Sequence, residues 1–484
     1  MQKILLFIAS LFYFNFLFSK NEIKSWQGIH ETPLSRLEQQ FAEPPVEFAN
    51  HVIWGWEGKM DKKTICNDLD SIKKKGFRAV IFEAGYKLPF KYLSEEWFKA
   101  IRTGVVEAKK RDMKVWIIDE GKYPSGFAGG KFSQERPDLR MQALVIGDTI
   151  QIKRGEVMTN HKIAPEIISA VAVSTSGAPN RTVEINNGKI SFNAGLDDWK
   201  ILLVKSDFRT AVTRAVNNPN GGKDATNSLC DYLNPVAVQQ FIDWTHKQYK
   251  KYLGKELGTT VLGFRGDEPD YAHLPWTPSI VQTFKDTKGY DPTPYLASFF
   301  TASPTIQEQR VKADYWDVWS SLFATHFFKL QADWCAANGV AHITHLNKEH
   351  EMPACVKAEG DYFRALSKVQ IPGVDAIWNQ IWPSTLNDFP KLASSVAHVY
   401  GKPRAFSESF AAYHISPTIP QAKFVVDHQI ARGINFFEFM FWLAGSKHRN
   451  WMSDPGMKGL NEYTNRTTYL MSQGKPGARI AMYL

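Results

Sequence analysis

From residue 50 onward the chain alternates short, almost wholly apolar runs with longer amphipathic stretches, a rhythm that predicts repeated β–α units. The apolar runs at 51–56, 78–83, 114–119, 261–264, 342–345, 375–379, 404–410 and 435–442 read as strands. Helical patterns fill the gaps at 62–75, 94–111, 235–253 and 311–338, with Ser94 and Asn234 placed as N-caps and Pro235 at a first helical position. Strands that are apolar on both faces belong in a parallel sheet covered by helices. Eight of them predict an α/β fold, a (β/α)8 TIM-like barrel.

One interval breaks the rhythm. Between 141 and 230 short β-rich runs (143–146, 169–174, 183–185, 201–204) are separated by Gly, Asn and Asp turns, which predicts a small antiparallel β-module inserted into the barrel. The expected organisation is a signal peptide at 1–20, a lead-in at 21–45 and a first barrel part at 46–140. The insert at 141–230 and a second barrel part at 231–473 follow, and 474–484 reads as the start of a truncated C-terminal domain. The apolar run at 4–18 follows one early lysine and is short for a membrane span, so the reading is a secreted or periplasmic protein without stable membrane insertion.

Composition changes this picture little. The 484 residues include 44% hydrophobic and 22% charged positions, ordinary for a globular enzyme. The net charge of +9 is dispersed, with Lys73-Lys74-Lys75 as its longest run, so no basic stripe points to nucleic acid. Cys66, Cys230, Cys335 and Cys355 match no zinc or redox spacing, and Cys335 reads as packed within a helix. Abundant aromatics, 15 Trp among them, suit sugar stacking as well as a core.

The candidate chemistry lies at the predicted strand ends. In Val261-Leu-Gly-Phe-Arg-Gly-Asp-Glu-Pro-Asp270 a strand runs abruptly into acids, and Glu408 ends another in Arg404-Ala-Phe-Ser-Glu-Ser-Phe410. Two carboxylates across the C-terminal mouth of a barrel suggest glycosidic bond hydrolysis. Glu268 and Glu408 are the candidate catalytic pair. Trp54, Trp56, Glu83, Asp119, Glu120, Asp267, His345, Asn347, Asn379 and Trp442 are candidate sugar contacts for the same positional reason. Glu438, inside an apolar strand, reads equally as a buried pair or a site residue. The glycines of 119–130 do not form a phosphate loop, because Ser125 and Phe132 stand where a glycine and a hydroxyl residue are needed. His350-Glu351 lacks the second histidine of a zinc protease. His342 and His345, three apart in a strand, face opposite sides and do not share a metal. No Gly-x-Ser-x-Gly elbow ends a strand.

The runs Trp54-Gly-Trp56, Tyr123-Pro-Ser-Gly-Phe-Ala-Gly-Gly130, Gly289-Tyr-Asp-Pro-Thr-Pro-Tyr295, Gln370-Ile-Pro-Gly-Val-Asp375 and Lys402-Pro-Arg-Ala-Phe-Ser-Glu-Ser-Phe410 resemble glycoside hydrolase family 106, the α-L-rhamnosidase type. The likeness spans roughly 45–484. It implies a barrel with an insertion, β-sandwich modules farther on, inversion at the anomeric carbon, Glu268 and Glu408 as the catalytic carboxylates, and calcium assisting sugar binding. Tyr123, where a tryptophan is common, and the flanks of Gly266-Asp267-Glu268 depart from that pattern and touch on sugar specificity. Metal ligands are not assigned. The expected activity is removal of a terminal rhamnose or related sugar from polysaccharide or glycoside. A retaining β-glycosidase such as a galactosidase, or a carbohydrate-binding barrel without catalysis, are the alternatives. Either glutamate could serve as the acid.

Overall fold

The structure, a computed structural model, describes residues 24–478 apart from 122, 211–212, 215–222, 225–227, 270, 272–273, 446 and 449. The apolar leader at 1–20, Asp270 and positions 479–484 lie outside the described residues. Eight parallel strands close on themselves: β1 (His51–Trp56), β2 (Ala79–Ala84), β3 (Lys114–Ile118), β4 (Val261–Gly266), β5 (Ala341–Thr344), β6 (Ile371–Ala376), β7 (Phe406–Ser409) and β8 (Phe436–Leu443). β1 pairs with both β2 and β8, so the sheet has no open edge along these strands. Among the described residues no helix is long and apolar enough to cross a membrane.

Local chemistry starts the covering helices where the sequence predicts. The Asp61 side chain accepts from the Thr64 amide at 2.8 Å, Ser94 from the Trp97 amide at 3.3 Å, and Asn234 from the Val236 amide at 2.9 Å, each satisfying an orphan donor of a first turn. The 235–253 helix is broken at Thr245 into Pro235–Trp244 and His246–Leu253. Residues 142–208 carry strands Gln142–Ile152, Trp199–Phe208, Ile167–Ser174 and Arg181–Thr182, hydrogen-bonded in that order in an antiparallel sheet. Its far edge is Pro275–Trp276, from the segment that follows β4. The lead-in also has a place in the core. Trp26 meets Trp116 edge-on at 5.9 Å, and Phe48 meets Tyr469 at 5.3 Å, both in the cluster that fills the barrel interior.

Inside the barrel an apolar layer (Ile53, Ile81, Trp116, Ile343, Ile371, Phe406, Phe436) supports a charged layer above it, where Arg265, Asp375, Glu408 and Glu438 follow on the same faces of their strands. The alternation corrects two expectations. Ile53 points inward, so Trp54 and Trp56 point outward and are fully buried under the helices. Trp54 Nε1 donates to Asp68 of helix Lys62–Lys74 at 3.2 Å, and Trp56 packs 5.7 Å from Trp97. Gly104 makes this contact possible, since a Cβ there would stand 2.9 Å from Phe82 and 3.0 Å from Trp56. Neither tryptophan lines a sugar pocket. Trp442, 1% exposed, belongs to the same outer core and offers no free face.

Because Trp56 is a packing residue, Trp56→Ala should lower the unfolding free energy by about 3–5 kcal/mol in denaturant titrations. A variant as stable as the wild type would mean that the indole is not part of the core.

Candidate active site

Three inward carboxylates stand side by side at the mouth, because Asp375 of β6 is in register with Glu408 of β7, and Glu408 with Glu438 of β8. Neighbouring strands lie only about 4.8 Å apart, so the row is repulsive unless it is neutralised. Arg265, the penultimate residue of β4, does this from across the barrel. Its Nε is 3.1 Å from Glu438 Oε2, its Nη2 donates to Glu408 Oε2, and its Nη1 is 2.7 Å from Asp267 Oδ1. The guanidinium is wholly buried, and these carboxylates hold its pKa well above the ordinary value against the burial that would lower it.

His345, just past β5, is the second cation. Its Nδ1 donates to the Leu346 carbonyl at 2.9 Å, and its Nε2 lies 3.3 Å from Glu408 Oε2 and 3.5 Å from Asp267 Oδ1. Burial favours the neutral ring, but hydrogen bonding with Asp267, Glu349 and Glu408 overrides it and raises the pKa well above the usual histidine range. Burial raises Asp267, yet Arg265 and His345 win and hold its carboxyl well below the usual range.

The glutamates of the predicted pair flank this one imidazole. Carboxylate oxygens of Glu268 and Asp375 and a ring nitrogen of His345 all lie within 4.8 Å of one another, and Glu408 sits on the same ring. Burial, with Asp267 and other acids nearby, pushes Glu268 up to about 8 despite the attraction of His345. Burial and then Glu408 also raise Asp375 well above the ordinary carboxylate value. Glu438 rises to about 7, from burial partly offset by Arg265. Both described donors to Glu408 land on Oε2, which leaves Oε1 without a described partner. Glu268 itself has φ +38°, a left-handed conformation that a glutamate adopts only where its surroundings impose it.

The remaining predicted contacts divide. Asp119 lies behind Arg265 and Asp267: its Oδ1 accepts from Ser125 Oγ at 2.7 Å, and the same hydroxyl accepts from the Asp267 amide at 2.6 Å. Burial raises Asp119 to about 7. Glu83 ends β2, its Oε2 3.4 Å from where a side chain at Gly55 would start. The Glu120 carboxylate is engaged inside its own loop, accepting from the amides of Gly121 at 2.7 Å, Gly129 at 3.1 Å and Ala128. That cradle folds the glycine-rich run, where Gly126, Gly129 and Gly130 all have positive φ. Asn347 donates to Tyr123 Oη at 3.3 Å, joining the loops after β3 and β5.

Asn379 is a further correction. The sixth strand is Ile371–Ala376, earlier than the predicted 375–379, so Asp375, its penultimate residue, stands at the strand end and Asn379 lies beyond it. The Asn379 Oδ1 instead accepts from the His414 amide at 2.8 Å and clamps two mouth loops together. Arg265, Asp375 and Glu349 were not among the predicted site residues. A charged residue inside an otherwise apolar strand was the available signal for Arg265.

A family model described as alpha-L-rhamnosidase, glycoside hydrolase family 106, matches residues 164–444. The chain belongs to that family. It is 23% identical over 526 residues to a Formosa agariphila protein provisionally named a beta-glucuronidase, a match covering 93% of this chain and 43% of that one. Its fold is similar to that of a rhamnosidase from Novosphingobium sp. PP1Y, with a TM-score of 0.68 at 14% identity over 91% of this chain and 61% of that one. The chain therefore spans less than two thirds of either relative. The family 106 match takes in the last five barrel strands and both candidate catalytic glutamates.

Replacing Arg265 by Met should destabilise the protein by about 3–5 kcal/mol at neutral pH, because three buried carboxylates lose their countercharge. A variant that unfolds like wild type would show that protons already neutralise the row. Stability should also fall as pH rises from 6.5 to 8. Glu120, raised to about 8 mainly by burial, together with Glu268, Glu438 and Asp119, keeps protons in the folded state that the unfolded chain has released. His345, raised when folded, acts in the same direction. The buried His51, His246 and His342, all lowered, oppose it only below their ordinary value of 6.5. Thermal melting across that window checks the slope, which Glu268→Gln should flatten.

Proposed function

We propose that this chain carries the catalytic barrel of an exo-acting hydrolase that removes a terminal α-L-rhamnose with inversion. The observation that carries the reading is the pair Glu268 and Glu408 flanking one buried imidazole in different electrostatic settings. Glu268, raised to about 8 chiefly by burial, holds a proton at neutral pH and is the general acid for the glycosidic oxygen. Glu408 is oriented through Oε2 by Arg265 and His345, and its Oε1 accepts a proton from water as that water attacks the anomeric carbon. The departing alcohol takes the Glu268 proton, the sugar takes hydroxide on the opposite face, and the proton gained by Glu408 returns through solvent.

The charge of the mouth bears on the sugar. Its cations Arg265 and His345 are already bound to carboxylates, and Glu268, Asp375 and Glu438 add further acids. A uronate carboxylate would find neither Arg265 nor His345 free to pair with it, so a neutral deoxyhexose suits the pocket better than a glucuronide. The close groupings of acidic, histidine and cysteine side chains among the described residues do not suit calcium. It takes six to eight oxygens, whereas each close grouping of ligating atoms includes a histidine nitrogen, His345 among them. We infer export from the N-terminal apolar pattern, as the sequence suggested.

Aryl α-L-rhamnoside should be hydrolysed in preference to aryl β-D-glucuronide, and the first-formed sugar should carry the inverted configuration by NMR. Glu268→Gln and Glu408→Gln should each lower kcat by roughly a hundred- to ten-thousand-fold. The wild-type rate should fall above about pH 8, where Glu268 loses its proton, a limb absent from the residual activity of Glu268→Gln. Near-normal turnover in either variant would remove that residue from the mechanism.

A further inference from the structure

Behind the barrel wall, away from the sugar site, a second group of ligating side chains converges. His342 lies on the outward face of β5, His246 opens helix His246–Leu253, and Cys335 sits on helix Lys329–Ala337. A nitrogen from each histidine and the Cys335 sulfur all lie within 4.8 Å of one another, and all three residues are buried. Ligands around a three-coordinate metal stand roughly 3.5–4 Å apart when the bonds are about 2.0–2.3 Å, so small rotations would complete a site.

The hydrogen bonds fix which nitrogen is free. Thr245 Oγ1 donates its one proton to the Phe241 carbonyl at 2.7 Å, so it must accept from His246 Nδ1, 2.9 Å away. His246 is therefore protonated at Nδ1 and presents the Nε2 lone pair, a buried atom without a hydrogen-bond partner. A hydrogen bond to the far ring nitrogen is how metal-binding histidines are held. His342 Nδ1 is likewise buried and unpartnered. The His246 ring lies 4.2 Å from Phe264 and 5.3 Å from Trp334, so aromatic rings flank it.

We propose that His246, Cys335 and His342 form a buried binding site for a thiophilic d10 cation, Zn2+ or Cu+. Two imidazoles and a thiolate are the soft and borderline donors such ions select. Burial keeps both histidines neutral, His342 at about 3 and His246 well below the usual value, so their lone pairs are available at physiological pH. Burial likewise raises the Cys335 thiol, so binding must displace its proton: the S–H bond breaks, an S–metal bond forms, and the proton leaves to solvent. With Cu+ the assembly is electrically neutral, which suits an apolar interior. Zn2+ would need a fourth donor. The closed position means that the ion enters as the chain folds.

The test is metal content of the full-length chain produced in zinc-, copper- or cobalt-supplemented medium and freed of loose ions by a weak chelator. About one equivalent of Zn2+ or Cu+ per chain is expected. It should be lost in Cys335→Ser and kept in Cys66→Ser, and the metal retained tells the two ions apart. Cobalt-grown wild type should show a thiolate-to-cobalt absorption that Cys335→Ser lacks. Metal below a tenth of an equivalent in folded wild type, or undiminished in Cys335→Ser, would overturn the site. If the variants fail to fold, wild type that keeps less than a tenth of an equivalent of metal from all three media overturns it.

Discussion

The barrel mouth depends on one buried guanidinium. Arg265 reaches Glu408 and Glu438 on the far wall and Asp267 on its own strand end. Without it the in-register row Asp375–Glu408–Glu438 would set like charges on adjacent strands. One arginine and one imidazolium do not balance every acid present, and the remainder of the charge is removed by protons. Burial raises Glu268, Asp375 and Glu438, and the neighbouring acids add to it, so the packing that closes the barrel also supplies a protonated carboxyl at the mouth.

The backbone around this row is held under local strain. Glu268, Lys348, Trp378, Asn379, Phe410 and Ala412 all have positive φ, and each lies just beyond the C-terminal end of β4, β5, β6 or β7. Non-glycine residues keep such angles only when other contacts over-determine them. Glu120 and Asn379 supply contacts of this kind, one by threading three loop amides onto its carboxylate, the other by tying the loop after β6 to the loop after β7. The glutamates at the mouth can therefore be positioned by polar residues that stand outside their row.

Much of this was legible in the chain. The alternation of apolar runs and amphipathic stretches gave eight strands, and abrupt acidic endings gave Glu268, Asp267 and Glu408. Pro372 and Gly373 disguised the true start of β6, which moved its predicted end past Asp375 to Asn379. Trp54 and Trp56 were misplaced because a strand buried on both sides carries no polar face to mark inside from outside. Glu438 stayed ambiguous, and Arg265 was passed over, for one reason: their partners are contributed by strands distant in sequence, and an ion pair of that kind leaves no local spacing. The His246–Cys335–His342 group was invisible for the same cause.

His342 and His345 show how far environment outweighs residue type. They stand three positions apart at one strand and face opposite sides, as the pleat requires. The inner ring meets carboxylates and is driven toward the imidazolium; the outer one meets apolar surroundings and is driven toward the neutral base. A charged ring can orient Glu408 and hold Asp267 ionised but cannot ligate a cation. A neutral ring with a bare nitrogen can ligate but lends no charge to the mouth. The barrel wall thus separates two chemistries by about the thickness of one strand, and a one-residue slip of β5 would exchange them.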